Sequence, residues 1–446
     1  MSKNNSISVL NSPNSPIKSG TTVSLDNDIA ELNERYAFVS VGSKARIVDE
    51  YGNQTNFIEQ RAFIAKYANR PSNNTTVGDY WLSHSDRRQY INGVVFDPSN
   101  NEAEGQYNLW KGFSAEPDSN ASCRRFLWHL LHIICSGDQD CNDYVLDWLG
   151  LLVQRPHQLP GTAICLLSPP GTGKGLWMQY LSKIIDRHYI HITSTEQLTG
   201  RFTGHLETAV LIFADEVYAT GDRKALGQLK TLITEPKRTL ERKGIDATQV
   251  NNCAHLVMAS NDEKAISAEV DDRRYFILGV SALKQGDRDY FKELLDEMDD
   301  RGPNALISHL MDRDITNFNP SKFPITNARV NQQLQSLNPI ERWLYEELSD
   351  GLPVTSHPVF RTKGTLVPKD IVNTKYMAWH KLYYSYSPET KTQLTKTLKK
   401  FGIITKRDRG VSVPADQQQC YDFPDLPKCR KSFESYLGSS VSWPVP

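Results

Sequence analysis

Between Ser168 and Leu176 the chain reads Ser168-Pro169-Pro170-Gly171-Thr172-Gly173-Lys174-Gly175-Leu176, with glycines alternating with other residues around a single lysine. A loop of this kind can curl its backbone N–H groups around phosphate oxygens, while the lysine ammonium reaches the terminal phosphates as a point charge. The implied ligand is a nucleoside triphosphate, ATP, contacted by Ser168, Pro170, Gly171, Thr172, Gly173, Lys174, Gly175 and Leu176. Two positions depart from the usual pattern. Ser168 stands where it begins with glycine, and Gly175 stands where a Ser or Thr hydroxyl would coordinate Mg2+.

Further along, Ala209 to Ala214 reads as a buried strand that delivers Asp215 and Glu216 at its end. Such a pair suits triphosphate hydrolysis: Asp215 would hold magnesium, directly or through water, and Glu216 would orient and deprotonate the attacking water. A third apolar run, Ala254 to Ser260, ends in Asn261, whose amide can donate and accept hydrogen bonds at the γ-phosphate or the water. Arg273 and Arg274 precede a fourth run, Tyr275 to Leu278. A guanidinium presented to a neighbouring subunit's nucleotide would neutralise charge on the transferred phosphoryl group, and the sequence does not choose between the two. The expected catalytic set is therefore Lys174, Asp215, Glu216, Asn261 and Arg273 or Arg274. Between the acids and Asn261, Arg242-Lys243-Gly244 could tip a hairpin and project cationic side chains toward a phosphate backbone.

These residues need elements to hold them. Ala163 to Leu167 predicts a strand entering the loop, and Trp177, Tyr180, Leu181, Ile184 and Ile185 predict a helix leaving it. Apolar strands around Ile164, Ile212, Val257 and Ile277, separated by helical stretches, predict a sheet wrapped by helices. The core is expected at 161–315. Ahead of it come a tail at 1–25, a small α+β module at 26–115, and a helical collar at 116–160 carrying Phe126, Leu130, Leu146, Trp148 and Leu149. A Pro-, Asn- and Gln-rich linker is expected at 316–338, then a C-terminal domain at 339–446 whose helices and short hairpin suggest a winged helix.

Composition narrows the class. The chain has 446 residues, 39% of them hydrophobic, enough for two or three packed domains. Lys and Arg total 51 against 52 acidic residues, so any contact with nucleic acid must come from local patches. No apolar run approaches a membrane span, the first residues lack the hydrophobic core of a signal peptide, and a cytosolic protein is expected. Seven cysteines without a Cys-x-x-Cys pair indicate neither a zinc site nor a disulfide framework. His129 with His132 and His188 with His191 have metal-compatible spacing, but without a carboxylate partner they read as packed or hydrogen-bonded residues.

The order of features, phosphate loop, strand ending in Asp215-Glu216, Lys243-Gly244, strand ending in Asn261, then paired arginines, resembles a superfamily 3 helicase. Tyr107-Asn108-Leu109-Trp110-Lys111-Gly112-Phe113, Leu198-Thr199-Gly200-Arg201-Phe202 and Leu229-Lys230-Thr231-Leu232-Ile233-Thr234-Glu235 are similar to phage and mobile-element primase-helicases of the poxvirus-like branch, in which Gly175 also looks typical. The resemblance implies an α/β, AAA+-like P-loop ATPase core, a homo-hexameric ring, ATP hydrolysis with Mg2+ between subunits, and translocation on single-stranded DNA at replication forks. It puts Lys243, with Arg242 beside it, in a DNA-gripping hairpin. Lys399 and Lys400, with Lys391, Lys396, Lys406, Arg407 and Arg409, would then be a DNA-contacting surface. Many relatives also carry a primase domain with paired acids. Here only Asp26-Asn27-Asp28 offers a pair, so no priming activity is expected of this chain, with the primase either absent or supplied by a separate primase or polymerase. The competing expectations are a nucleotide-switched initiator or scaffold without unwinding, and a remodeller of protein complexes.

Overall fold

A five-stranded parallel sheet is the framework that positions the loop. Its strands are β1 (Ala163–Leu167), β2 (Tyr189–Ile192), β3 (Leu211–Asp215), β4 (His255–Ser260) and β5 (Tyr275–Gly279), in the spatial order β2-β3-β4-β1-β5. Every neighbouring pair is parallel. The computed structural model describes residues 25–51, 54–72, 75–101, 104–200, 203–216, 223–241, 247–261, 273–351, 364–407 and 419–444. A parallel sheet needs both faces covered, which is why β1 and β4 are buried at every residue and read as unbroken apolar runs. β2 did not announce itself in the sequence. It is an edge strand whose Tyr189, Ile190 and His191 remain partly exposed, so it lacks the continuous apolar run by which the other four were recognised.

Parallel pairing forces helical crossovers. Helix α2 (Lys174–Ile185) carries the chain from β1 to the far edge at β2, burying Trp177, Tyr180, Leu181, Ile184 and Ile185. Because β1, β3 and β4 are parallel and adjacent, their carboxyl ends lie side by side on one margin of the sheet.

The segments expected to form a collar share the interior of the sheet. Helix Arg124–His129 runs directly into a π-helical turn, Leu130–Ile134, and α1 (Gln139–Gln154) follows. Tyr144 of α1 packs edge-on against Phe276 of β5, and Trp148 packs against His255 of β4. The sheet needs a cover for that face, and these apolar stripes supply it.

The stretch expected to be a linker contains a helix, Asn327–Gln335, capped by the Thr326 side chain. Its polar residues close the outer edge of β5: Thr326 Oγ1 donates to the Ile277 carbonyl, and Arg329 Nη1 donates to the Tyr275 carbonyl at 2.9 Å. Polarity that reads as a linker serves here to satisfy an edge strand's unpaired acceptors. Gln333 then reaches on to the Leu437 carbonyl at 3.1 Å.

Beyond it, helices Pro339–Ser349, Lys369–Tyr383, Lys391–Lys400 and Leu426–Leu437 pack with a three-stranded antiparallel sheet in which Gln419–Phe423 lies between Thr365–Pro368 and Ile404–Arg407. Trp343, Leu344, Tyr376, Leu398, Phe401, Tyr421 and Phe433 form their common core.

Among the described residues, the chain from Leu25 to Val95, with a return ending at Leu109, forms a separate compact unit. Strands Tyr36–Val41, Lys44–Tyr51 and Gln54–Ile58 make an antiparallel meander to which Gln89–Tyr90 adds in parallel. Tyr36, Phe63 and Trp81 are fully buried at its centre. Asp28 is spent on a 2.6 Å ion pair with Arg70, and Asp26 has no described side chain.

His188 ties the larger unit together. Its Nε2 accepts the Lys111 N–H at 3.1 Å, so Nδ1 carries the proton and donates to the Thr208 carbonyl at 3.0 Å. Burial pushes its pKa down to about 4, against the opposing influence of the Thr208 bond, and burial does the same to His255. Between the unfolded value near 6.5 and about 4, the unfolded chain binds protons that the folded protein refuses. Stability should therefore fall as pH drops through that window, by up to about 1.4 kcal/mol per pH unit per histidine. Urea midpoints at pH 7.5 and 5 measure this. His188→Gln should reduce the slope, and an unchanged slope would mean that His188 does not report the acid transition.

Candidate functional site

The loop leaves β1 at Leu167 and is pinned at its start, where Ser168 N–H donates to the Ser260 carbonyl at 3.2 Å. Gly171 and Gly173 adopt φ of +77° and +102°, backbone angles that a side chain would strain. Lys174 opens α2 and is only 7% exposed. Its Nζ donates to the Ser168 carbonyl at 2.8 Å, to Ser168 Oγ at 2.9 Å and to Asn261 Oδ1 at 2.9 Å. Burial lowers the lysine's pKa, while Glu216 and Asp215 act to raise it. Ser168 Oγ also hydrogen-bonds Thr172 Oγ1 at 2.7 Å. The serine that replaces the customary glycine thus gives the ammonium a hydroxyl partner and braces the loop across its base.

Asp215 is the last residue of β3, and Glu216 follows with a positive φ of 55°. A non-glycine residue in that region stores of order 1 kcal/mol, and such strain clusters at functional positions. Two bonds hold it: Glu216 N–H donates to the Ala259 carbonyl at 3.0 Å, and Asn261 N–H donates to Glu216 Oε1 at 3.1 Å. The two strand ends from β3 and β4 are therefore cross-linked to each other and, through Asn261, to Lys174. Around them lies a cavity of about 470 Å³ lined by Pro170 to Leu176, Asp215, Glu216, Asn261 and Phe291. At Gly175 an added Cβ would meet nothing within 4 Å, so the missing hydroxyl leaves open space.

Three nearby residues escaped the sequence reading as members of this site. His191 of β2 stacks on Phe213, and its Nε2 lies 3.7 Å from Asp215 Oδ2. His129 is fully buried behind the loop and pairs through Nδ1 with the Tyr290 hydroxyl at 2.7 Å; burial lowers its pKa to about 4. Phe291, from α3 (Arg288–Asp299), supplies the cavity's aromatic wall. Only their tertiary neighbours mark them, since none belongs to a local motif.

Other expected site residues lie elsewhere. Arg273 and Arg274 precede β5, and the Arg274 carbonyl accepts the N–H of Ala163 at the start of β1. They sit at the amino end of the sheet, a five-residue strand away from the cavity margin, or about 16 Å at 3.3 Å per residue. Arg242 and Lys243 lie outside the described residues; the flanking strands Lys237–Leu240 and Thr248–Asn251 pair antiparallel. Lys399 is exposed, whereas Lys400 lies 3.6 Å from Glu341 and over the Tyr436 ring. Lys406 pairs with Asp422 at 2.6 Å. Part of this basic surface is thus neutralised within the chain.

The fold defines a mixed α/β protein with a cavity where parallel strand ends converge. Residues 166–274 match a family of unknown function, DUF5906. The chain is 26% identical over 136 residues to the DNA primase-polymerase of Nitratiruptor phage NrS-1, a match covering 30% of this chain and only 19% of that protein. Its fold is similar to apo structures of the NrS-1 C-terminal region. One matches with a TM-score of 0.61 at 15% identity over 87% of this chain and 95% of that one, and another with 0.63 at 15% over 91% and 100%. No described helix is long and apolar enough to cross a membrane.

A Cβ at Gly173 would lie 2.5 Å from His129 Cε1, in addition to the strain of its positive φ. Gly173→Ala should cost about 1–3 kcal/mol in denaturant unfolding. In a double-mutant cycle His129→Ala should recover part of that loss, and strict additivity would rule out the clash as its cause.

Proposed function

We propose that this chain is an ATP hydrolase of a phage or mobile-element replication apparatus, acting as a superfamily 3-like DNA helicase. One observation carries the reading: Lys174, Asp215, Glu216 and Asn261 converge with the glycine loop on a single cavity at the carboxyl margin of a parallel sheet. Ligands of open α/β sheets bind at that margin. Similarity to a phage DNA primase-polymerase supports a setting in DNA replication, and the matching stretch spans about a fifth of that protein's length.

In this reading the loop N–H groups and Lys174 hold the β- and γ-phosphates, with Lys174 exchanging Ser168 for phosphate oxygen. Asp215 would hold Mg2+. Its carboxylate, together with the space beside Gly175, suits a hard cation that keeps several waters, and the ion would supply neutralisation of phosphate charge. Glu216 orients and deprotonates the attacking water. Asn261, whose Oδ1 is turned to Lys174, donates from its amide nitrogen to phosphate oxygen. Arg273 or Arg274, remote from its own cavity, serves a neighbour's in a ring of copies, expected to be a hexamer. Arg242 and Lys243 would grip single-stranded DNA, with Lys399 and Lys400 as outer contacts, and a separate primase or polymerase would complete the fork.

Gly175 favours a second reading, a nucleotide-switched initiator or scaffold, because it offers magnesium no hydroxyl. ATPase titration with single-stranded DNA separates the two. Stimulation by DNA is expected, with Lys174→Ala and Glu216→Gln each lowering turnover at least a hundredfold and Asp215→Ala equally damaging. Lys243→Ala should spare nucleotide binding while weakening DNA stimulation. Turnover indifferent to DNA would eliminate the helicase reading.

A further inference from the structure

The two flanks of the cavity differ in chemistry. From β3 and β4, on one side of the loop strand, come Asp215, Glu216 and Asn261. From α3, which follows β5 on the other side, comes the phenyl ring of Phe291. This ring packs on the loop itself, since a Cβ at Gly173 would stand 3.0 Å from Phe291 Cε1. Its position is fixed from behind. Tyr290 and His129 meet it edge to face at centroid distances of 5.2 and 6.4 Å, and the Tyr290 hydroxyl is bound to His129. The start of α3 is anchored as well: the Asp287 side chain caps Tyr290 N–H at 3.1 Å, and Gln285 Nε2 donates to the Pro170 carbonyl of the loop at 2.8 Å.

A triphosphate seated on Lys174 has its terminal charge among the polar groups, so the rest of the molecule must leave the loop on the opposite flank. There a held aromatic ring, itself only half-buried, lines the cavity. We infer that Phe291 is the stacking platform for the base of a nucleoside triphosphate, a base-binding contact separate from the phosphate-binding loop. This inference rests on the nucleotide reading of the same cavity. Every nucleobase presents a π-face, and loss of one base–aromatic stack commonly weakens binding by about tenfold.

The test compares two probes on the full chain by calorimetry: a nonhydrolysable ATP analogue and inorganic tripolyphosphate, which has no base. Phe291→Ala should weaken the analogue about tenfold and leave tripolyphosphate within about twofold, and Phe291→Trp should restore the analogue. Thermal melts of each variant exclude a folding defect as the cause. Equal weakening of both probes would overturn the inference and make Phe291 a prop for the loop; so would an analogue affinity unchanged in Phe291→Ala. Wild-type protein that binds tripolyphosphate as tightly as the analogue would also overturn it while leaving the phosphate loop intact. Failure to bind either probe would instead remove the nucleotide reading itself, and this inference with it.

Discussion

A buried ammonium must be surrounded by oxygen, and the site is organised around meeting that demand for Lys174. Three oxygens within 3 Å, two from Ser168 and one from Asn261, hold it at the first turn of α2. Asn261 follows β4 and is tied through its own N–H to Glu216, which follows β3. One cation thus connects the loop strand to two neighbours, and any shift in the register of β1, β3 or β4 would strand it in low dielectric at a cost of several kcal/mol. The parallel sheet supplies the alignment that makes this arrangement affordable.

Much of the site was legible because its residues lie at the ends of apolar runs. Asp215 and Asn261 end or follow strands that are buried along nearly their whole length, so their places at the sheet margin follow from pattern alone. The loop was readable for a different reason, its glycine spacing. What could not be read depends on neighbours distant in sequence. Phe291 reaches Gly173 from more than a hundred positions away, and nothing in Arg288–Asp299 distinguishes that phenyl ring from an ordinary core residue. His129 and His191 resemble any packed histidines until Tyr290 and Asp215 are found beside them.

Domain boundaries were harder to place than elements. A collar and a linker are natural readings of a helical stretch and a polar stretch, yet both segments pack on the sheet. Tyr144 and Trp148 lie against Phe276 and His255, and Thr326 and Arg329 are bonded to the carbonyls of β5. Polarity in sequence does not separate a side chain that faces water from one that completes a backbone ladder. Ser168 teaches the same lesson at smaller scale, since as a departure from a motif it looked like a loss, and in place it is a ligand of the lysine.

The sealing of β5 carries a consequence for assembly. Tyr275 and Ile277 are alternate residues, and alternate carbonyls are the ones an edge strand turns outward to recruit a partner. Both are already engaged by residues of this same chain. Strand addition by another chain would first have to displace Thr326 and Arg329 from those carbonyls, so the polar segment that closes the sheet also guards its margin.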